Sequence, residues 1–382
     1  MKAARIVLTA LVAVSVAVPA HAQLGALGKI KKGADKAADT KQKLDDLNIN
    51  DKEERQLGEQ VSLKLRSRFG VYQNADVAKY VSLVGGLVAA AGTRPNLDWK
   101  FIVLDSDGVN AYAAPGGIVH ITRGLLGLMK NEAQLAGVLG HEITHVNVKH
   151  TVRAIERSKA ISMGAEQAGS GSVRNELIAR LADKAFQTLF NGEFSREDEN
   201  EADQVGVRLA SKLGYGPQGI VDVLKLIDAR NNGREDRNGL FASHPATKDR
   251  IQKLEKQIAA EKLTGSATAD ARYKQHISFD AKPVTEIAVD TSGAAGLASG
   301  DKKKDDDEKK ADDKKEEPKK RGFGLSSITG GSKEAKSSQQ VASAGARGVG
   351  PDRDAKGGSN PAPINVKITA ADLDAFKKGL SG

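Results

Sequence analysis

From Asp51 onward the apolar positions recur at helical spacing: Leu57, Val61 and Leu65, then Val77, Tyr80, Val81, Val84 and Val88. Apolar residues three and four apart line one side of a helix, so residues 51–92 predict packed helix, which Arg94-Pro95-Asn96 ends. Phe101 to Leu104 is a short apolar run of strand type. Two more extended pieces, 110–114 and 118–122, flank Pro115-Gly116-Gly117, a strong turn signal. Helical pattern resumes at Gly124, and Asn131 caps a helix in which Leu135, Val138 and Leu139 lead to His141. Further helices are expected around 177–190, over 195–213 with Ser195 as N-cap and acids in the first turn, and over 217–229 and 247–262. Residues 273–289 show extended-type alternation, and 369–380 predict a short amphipathic helix.

The ends of the chain differ in character. Lys2 and Arg5, an apolar run over 6–18 and Ala20-His21-Ala22 match a secretory signal peptide over residues 1–22, with Gln23 as the mature start. The apolar run is too short for a spanning helix, and nothing after it is long and apolar enough to cross a bilayer. Residues 23–50 read as a flexible lead-in, 51–265 as the main domain and 266–300 as an extended segment. Residues 301–321 are a charge run of both signs, and Gly, Ser and Ala dominate from 322 to 360. Such a stretch buries too little apolar surface to offset its ordering entropy, so 301–360 is expected to be a disordered linker and 361–382 to close on a short helix.

Composition narrows the chemistry. The formal charge of +9 is spread along the chain and aromatics are 4% of residues, so no basic stripe with stacking partners points to nucleic acid. There is no cysteine, so any metal must be held by His, Asp and Glu.

The candidate chemistry lies at His141-Glu142-Ile143-Thr144-His145. His141 and His145 are four residues apart, about 400° of helix, so both imidazoles share one face and reach a single Zn²⁺. Glu142 stands beside them, placed to hold a water and take its proton, the logic of the His-Glu-x-x-His motif. Leu135, Val138, Leu139, Ile143 and Val146 make this a buried helix, and Gly137 and Gly140 permit close approach.

A catalytic zinc needs a third protein ligand and an open position. His150 follows His141 by about 900° of continued helix, on the opposite face, and Val148 stands where the longer His-Glu-x-x-His-x-x-Gly-x-x-His motif requires glycine. It reads as a buried histidine that supports the site, not as a ligand. In the acidic run 197–203, Glu199 and Asp203 share a face, so one carboxylate could bind metal while the other accepts from a ligand imidazole. Spacing leaves Glu197 and Glu201 open too, and a solvated acidic helix start would look the same. His244, in Ser243-His244-Pro245, is the third candidate.

Taken in order, 110–117, Thr122-Arg123-Gly124-Leu125-Leu126, 141–145, Glu199-x-x-Ala202-Asp203 and His244-Pro245 with Arg250-Ile251 resemble the M48 family of gluzincin peptidases over about residues 51–262. The resemblance implies an α+β fold, a mostly helical zincin domain with a small β-sheet beside the active-site helix. It implies one Zn²⁺ per chain held by His141, His145 and Glu199, with Glu142 as general base and Asp203 supporting a ligand imidazole. His244 matches a histidine that sits over the metal as a removable ligand or an oxyanion stabiliser. Asn110, Ala111, Tyr112, Ala113 and Ala114 match the edge strand that pairs with an extended polypeptide substrate. The expected function is a zinc endopeptidase acting on misfolded or misassembled envelope proteins. It would be periplasmic and peripherally associated with the outer membrane or its assembly machinery. The competing expectation is a chaperone or binding module whose zinc site is covered by His244. The chain lacks the membrane spans and helical-repeat tail of some family members, and no motif assigns an oligomeric state.

Overall fold

The computed structural model describes residues 49–157, 171–231, 247–290 and 351–380. The expected signal peptide, the lead-in up to residue 48, linker residues 301–350 and His244 lie outside them.

Helix α1 (Asp51–Phe69) starts with a capping box: the Asn50 side chain accepts from the Glu53 backbone N–H while the Glu53 carboxylate accepts from that of Asn50. Helix α2 (Ala75–Ala90) is capped by Asn74. A three-stranded sheet follows, with β1 (Lys100–Leu104), β2 (Ala111–Ala114) and β3 (Ile118–Thr122) in the order β1-β3-β2. β1 runs parallel and β2 antiparallel to β3. Gly116 and Gly117 turn the chain between β2 and β3 at φ of 72° and 95°, a region that penalises any side chain.

Alternation along the strands splits the core in two. Phe101, Val103, Ala111, Val119 and Ile121 face a cluster built on α2 and on helix α4 (Glu132–Asn147). Ile102, Leu104, Tyr112, Ala114 and Ile118 face the other way, onto α1 and helix α6 (Gly171–Asn191). Period-two side chains on a sheet buried on both faces explain why β2 and β3 carry no exposed residue.

Helix α3 (Arg123–Leu128) leads to α4, and the short α5 (His150–Arg157) follows it. Helices α7 (Arg196–Lys212) and α8 (Gln218–Arg230) pack on α4, and α9 (Thr247–Ala260) packs on α7 and α8. Helix α10 (Asp270–His276) and a 3₁₀ turn at Val284–Glu286 occupy the stretch read as extended. Seven helical residues that bury only Tyr273 are too few for helical period to show.

The chain returns at residue 351, within the stretch expected to be disordered linker. Residues 351–369 lie along the domain, and helix α11 (Ala370–Lys378) packs on α2. The architecture is α+β, mostly helical with a small mixed sheet. No helix among the described residues is long and apolar enough to cross a membrane.

Candidate active site

Helix α4 carries the His-Glu-x-x-His segment and is fixed at both ends. Asn131 caps its start by accepting from the Gln134 backbone N–H. Glu132, in its first turn, is fully buried and accepts from the hydroxyls of Tyr80 (2.8 Å) and Tyr215 (2.6 Å) and from Nε of Arg272 (2.7 Å). At the other end Glu54, also fully buried, pairs with Arg94 (2.9 Å) and Lys149 (3.0 Å), and Arg94 donates to the Val146 carbonyl. A helix clamped this way holds its side chains with little freedom.

The third candidate ligand comes from α7, and two glycines set the approach. A Cβ added to Gly206 would lie 2.7 Å from the His141 backbone N, and one added to Gly140 would lie 2.8 Å from the Gly206 carbonyl oxygen. The two helices therefore cross backbone to backbone one residue before His141, which brings Glu199 and Asp203 under the imidazoles.

Among the described residues, His141, His145 and Glu199 are the group of three whose ligand atoms lie within 4.8 Å of one another. The two Nε2 atoms are 3.1 Å apart, His141 Nε2 lies 3.6 Å from Glu199 Oε2, and His145 Nε2 lies 3.5 Å from Glu199 Oε1. A tetrahedral zinc with roughly 2.0–2.1 Å bonds has ligand atoms about 3.3 Å apart. The donor set, two imidazoles and a carboxylate at that spacing, fits zinc and leaves one coordination position for water or substrate. Glu197 and Glu201 are not part of this group.

The imidazoles are oriented from behind. Nδ1 of His141 donates to Asp203 at 2.9 Å. Arg250, from α9, grips Asp203 with two bonds of 2.7 Å and reaches Glu199 at 3.2 Å. Arg250 belongs to the motif read from the sequence, but this role was not visible there, because its partners lie 47 and 51 residues earlier.

His150 is buried and outside the ligand group, as read from the sequence, but it does not lie on the opposite face. Helix α4 ends at Asn147, and Lys149 turns the chain at φ 58° before α5 begins. That left-handed residue breaks the continuous helix on which the opposite-face argument rested and re-aims His150. Its Nδ1 lies 2.9 Å from Nδ1 of His145, and its Nε2 lies 3.1 Å from Glu201. With Nε2 of His145 turned to the metal position, Nδ1 of His145 carries the proton and donates to His150, whose own Nε2–H donates to Glu201. The His145 ring also stacks on Phe194 at 4.4 Å.

The electrostatics are those of a dry site. Burial, with Glu199 alongside, pushes the Glu142 carboxyl well above the usual range, and Arg250 works against the rise. Burial pushes Glu199 up to about 7, again opposed by Arg250. Burial would raise Asp203 as well, but Arg250 outweighs it and holds this carboxyl well below the carboxylate range. Burial lowers the His141 imidazole, with Asp203 pulling the other way.

Asn110, Ala111, Tyr112, Ala113 and Ala114 form the edge of the sheet next to α4. The Asn110 amide donates to the Tyr112 hydroxyl at 2.9 Å, and Thr122 accepts from the Asn110 backbone N–H.

The profile described as peptidase family M48 matches residues 75–258. The chain is 32% identical to "Metalloprotease YcaL" of Escherichia coli (strain K12) over 190 residues, 48% of this chain and 72% of that protein. It is 26% identical to the "Beta-barrel assembly-enhancing protease" of the same organism, over 52% of this chain and 42% of that protein. With "Metalloprotease LoiP", also of Escherichia coli (strain K12), it shares 24% identity over 56% of this chain and 84% of that protein. A His-Glu-x-x-His helix crossed by a Glu/Asp helix, in a domain alike in sequence to these metalloproteases, makes this chain a member of peptidase family M48, a family of zinc-dependent metalloproteases.

Proposed function

We propose that the chain is a zinc endopeptidase whose metal is held by His141, His145 and Glu199 and whose general base is Glu142. The observation that carries this reading is the buried triangle of ligand atoms with Glu142 one residue from His141 on the same helix. Zinc bound there would supply a Lewis acid that polarises the scissile carbonyl and acidifies water. The Glu142 carboxylate accepts the proton of the attacking water and later passes it to the leaving amine. Asp203 and Arg250 orient His141, and His150 orients His145. The edge strand 110–114 would pair with an extended polypeptide, so affinity would rest on backbone hydrogen bonds and selectivity on the side-chain contacts beside them. By the family resemblance, His244 would act over the metal, as a removable ligand or a donor to the oxyanion.

The substrates in this reading are misfolded or misassembled envelope proteins, reached after export by the signal peptide. The working place is the periplasm, with peripheral contact to the outer membrane or its assembly machinery. The support for the last point is the similarity to a relative named for β-barrel assembly. Glu142→Gln should abolish cleavage of an unfolded protein while zinc content stays at one per chain. Cleavage that survives the substitution would sink the mechanism.

One observation favours a second reading, a covered site at rest. His141, Glu142, His145 and Glu199 are each at most 3% exposed. A chaperone-like or latent form would bind an unfolded protein without cutting it. Replacing His244 by Ala separates the two, because a latent protease gains activity and a pure binding module gains none.

A further inference from the structure

The last described stretch, residues 351–380, lies outside the family match and returns to the domain after the charge-rich linker. Its start is buried, at Asp352, Arg353 and Ala355. Asp352 is 3% exposed, and its carboxylate accepts from the Val109 backbone N–H (3.3 Å) and pairs with Arg230 through bonds of 3.1 and 3.2 Å. The Arg230 side chain is only 8% exposed, so each charge has its partner largely out of water. Val109 lies two residues before β2, and Arg230 closes α8. One side chain of the arm thus pins the entry to the edge strand to the end of a helix that packs on α4.

The groove is shaped for backbone. A Cβ on Gly357 would lie 2.2 Å from Cα of Phe69, and one on Gly108 would lie 1.9 Å from the Asp352 carbonyl oxygen. Only chain without side chains at these positions fits that closely, on both sides of the contact. The Gly358 N–H donates to the Phe69 and Asp105 carbonyls at 2.9 Å, and Asn360 accepts from the Val71 N–H at 2.6 Å. Farther on, Phe376 of α11 lies under the Arg272 guanidinium at 4.0 Å, and its carbonyl accepts from Arg272, the residue that also holds Glu132.

We infer that residues 351–380 are a clasp that completes the peptidase domain in cis, and that the folded unit is therefore bipartite, made of residues 49–290 and 351–380. The groove already has its occupant: the arm fills it, and the chain on either side of the intervening stretch is joined, with the Asp290 N–H donating to the Asp354 carbonyl at 2.8 Å and the Lys356 N–H to that of Ala288 at 2.6 Å. The described chain therefore stops at Asp290 and resumes at residue 351 at one place on the domain. A tether that starts beside the docking groove gives the arm a high local concentration, which favours its own groove over that of a second copy.

Docking does not depend on the proposed chemistry, and the test reads it without activity. A recognition sequence for a site-specific protease is inserted within residues 322–345 of the full-length chain, and the purified protein is cut there and passed through a gel-filtration column. The arm fragment should co-elute with the body at the mass of one copy, with the thermal midpoint of the uncut protein. In the same protein carrying Asp352→Ala, loss of the buried pair and of the backbone bond should weaken retention about a hundredfold or more, so the arm is lost on dilution. Synthetic peptide 351–380 added to that armless body at high concentration should restore the midpoint. An arm that elutes apart from the unaltered body with the midpoint unchanged overturns the clasp. A dimer before cutting that falls to monomers afterwards overturns its action in cis.

Discussion

Nδ1 of His150 stands 2.9 Å from Nδ1 of His145, although Lys149 separates the helices that carry them. The contact fixes the His145 tautomer with Nε2 free for metal, and Glu201 fixes that of His150 in turn. Partners of this kind are typically worth about 10–100-fold in metal affinity. His150→Phe keeps the bulk and loses the acceptor, so zinc should bind within that range more weakly. His150→Asn returns an acceptor near the Nδ1 position and should recover part of the loss. Competition with a chromogenic chelator measures both. Equal affinities for the two variants would make His150 a packing residue only.

Arg250 bridges Asp203 and Glu199 with a planar fork that lysine cannot copy. Arg250→Lys should therefore weaken zinc binding, and Arg250→Met should cost about 3–5 kcal/mol of stability by leaving two buried carboxylates without their cation. Urea unfolding of the metal-free proteins gives the second number. A loss below 1 kcal/mol would show that the pair is solvated.

Glu199 predicts a pH dependence of the metal-free protein. Its folded pKa is raised to about 7 from an ordinary 4.5. Between these values the folded chain holds a proton that the unfolded chain has released, so stability falls as pH rises through the window and stays lower above it. The depth is about 3 kcal/mol, from about 2.5 pH units at 1.36 kcal/mol each. Glu199→Gln removes the titration. Its stability advantage over the unaltered protein should grow by about that amount between pH 4.5 and 7.5 in chelator. An advantage that stays constant with pH would contradict the assignment.

Gly206→Ala places a methyl group 2.7 Å from the His141 backbone N. The helices must separate, at about 1–3 kcal/mol of overpacking strain. Because the crossing sets how far Glu199 stands from the imidazoles, zinc affinity should fall along with the unfolding midpoint. A midpoint that drops while zinc affinity holds would uncouple the crossing from the site.

Asp352 touches no reacting group, yet it holds the approach to the edge strand. If that strand binds substrate, Asp352→Asn should raise KM for an unfolded protein substrate about tenfold, the worth of a charged hydrogen bond, with kcat and zinc content nearly unchanged. A loss confined to kcat would place its effect at the metal instead.

The periodicity of residues 57–88, the glycine turn at 115–117 and the caps at Asn131 and Ser195 determined most elements, because each depends on neighbours within a few residues. The spacing of His141 and His145 determined that two imidazoles share one face for the same reason, since one turn of helix places them. The sequence by itself left Glu197, Glu199 and Glu201 open. The family resemblance pointed to Glu199, and the Gly140–Gly206 crossing, a contact 66 residues apart, brings it to the imidazoles. His150 was rightly read as a buried supporting residue, but its face was misread because a single left-handed residue, Lys149, redirects the chain without any glycine or proline to announce it. Residues 351–360 looked like linker because composition reports apolar content, whereas their docking rests on backbone hydrogen bonds, glycine contacts and one buried ion pair. Local sequence encodes local geometry, and only the tertiary structure decides which distant polar groups meet out of water.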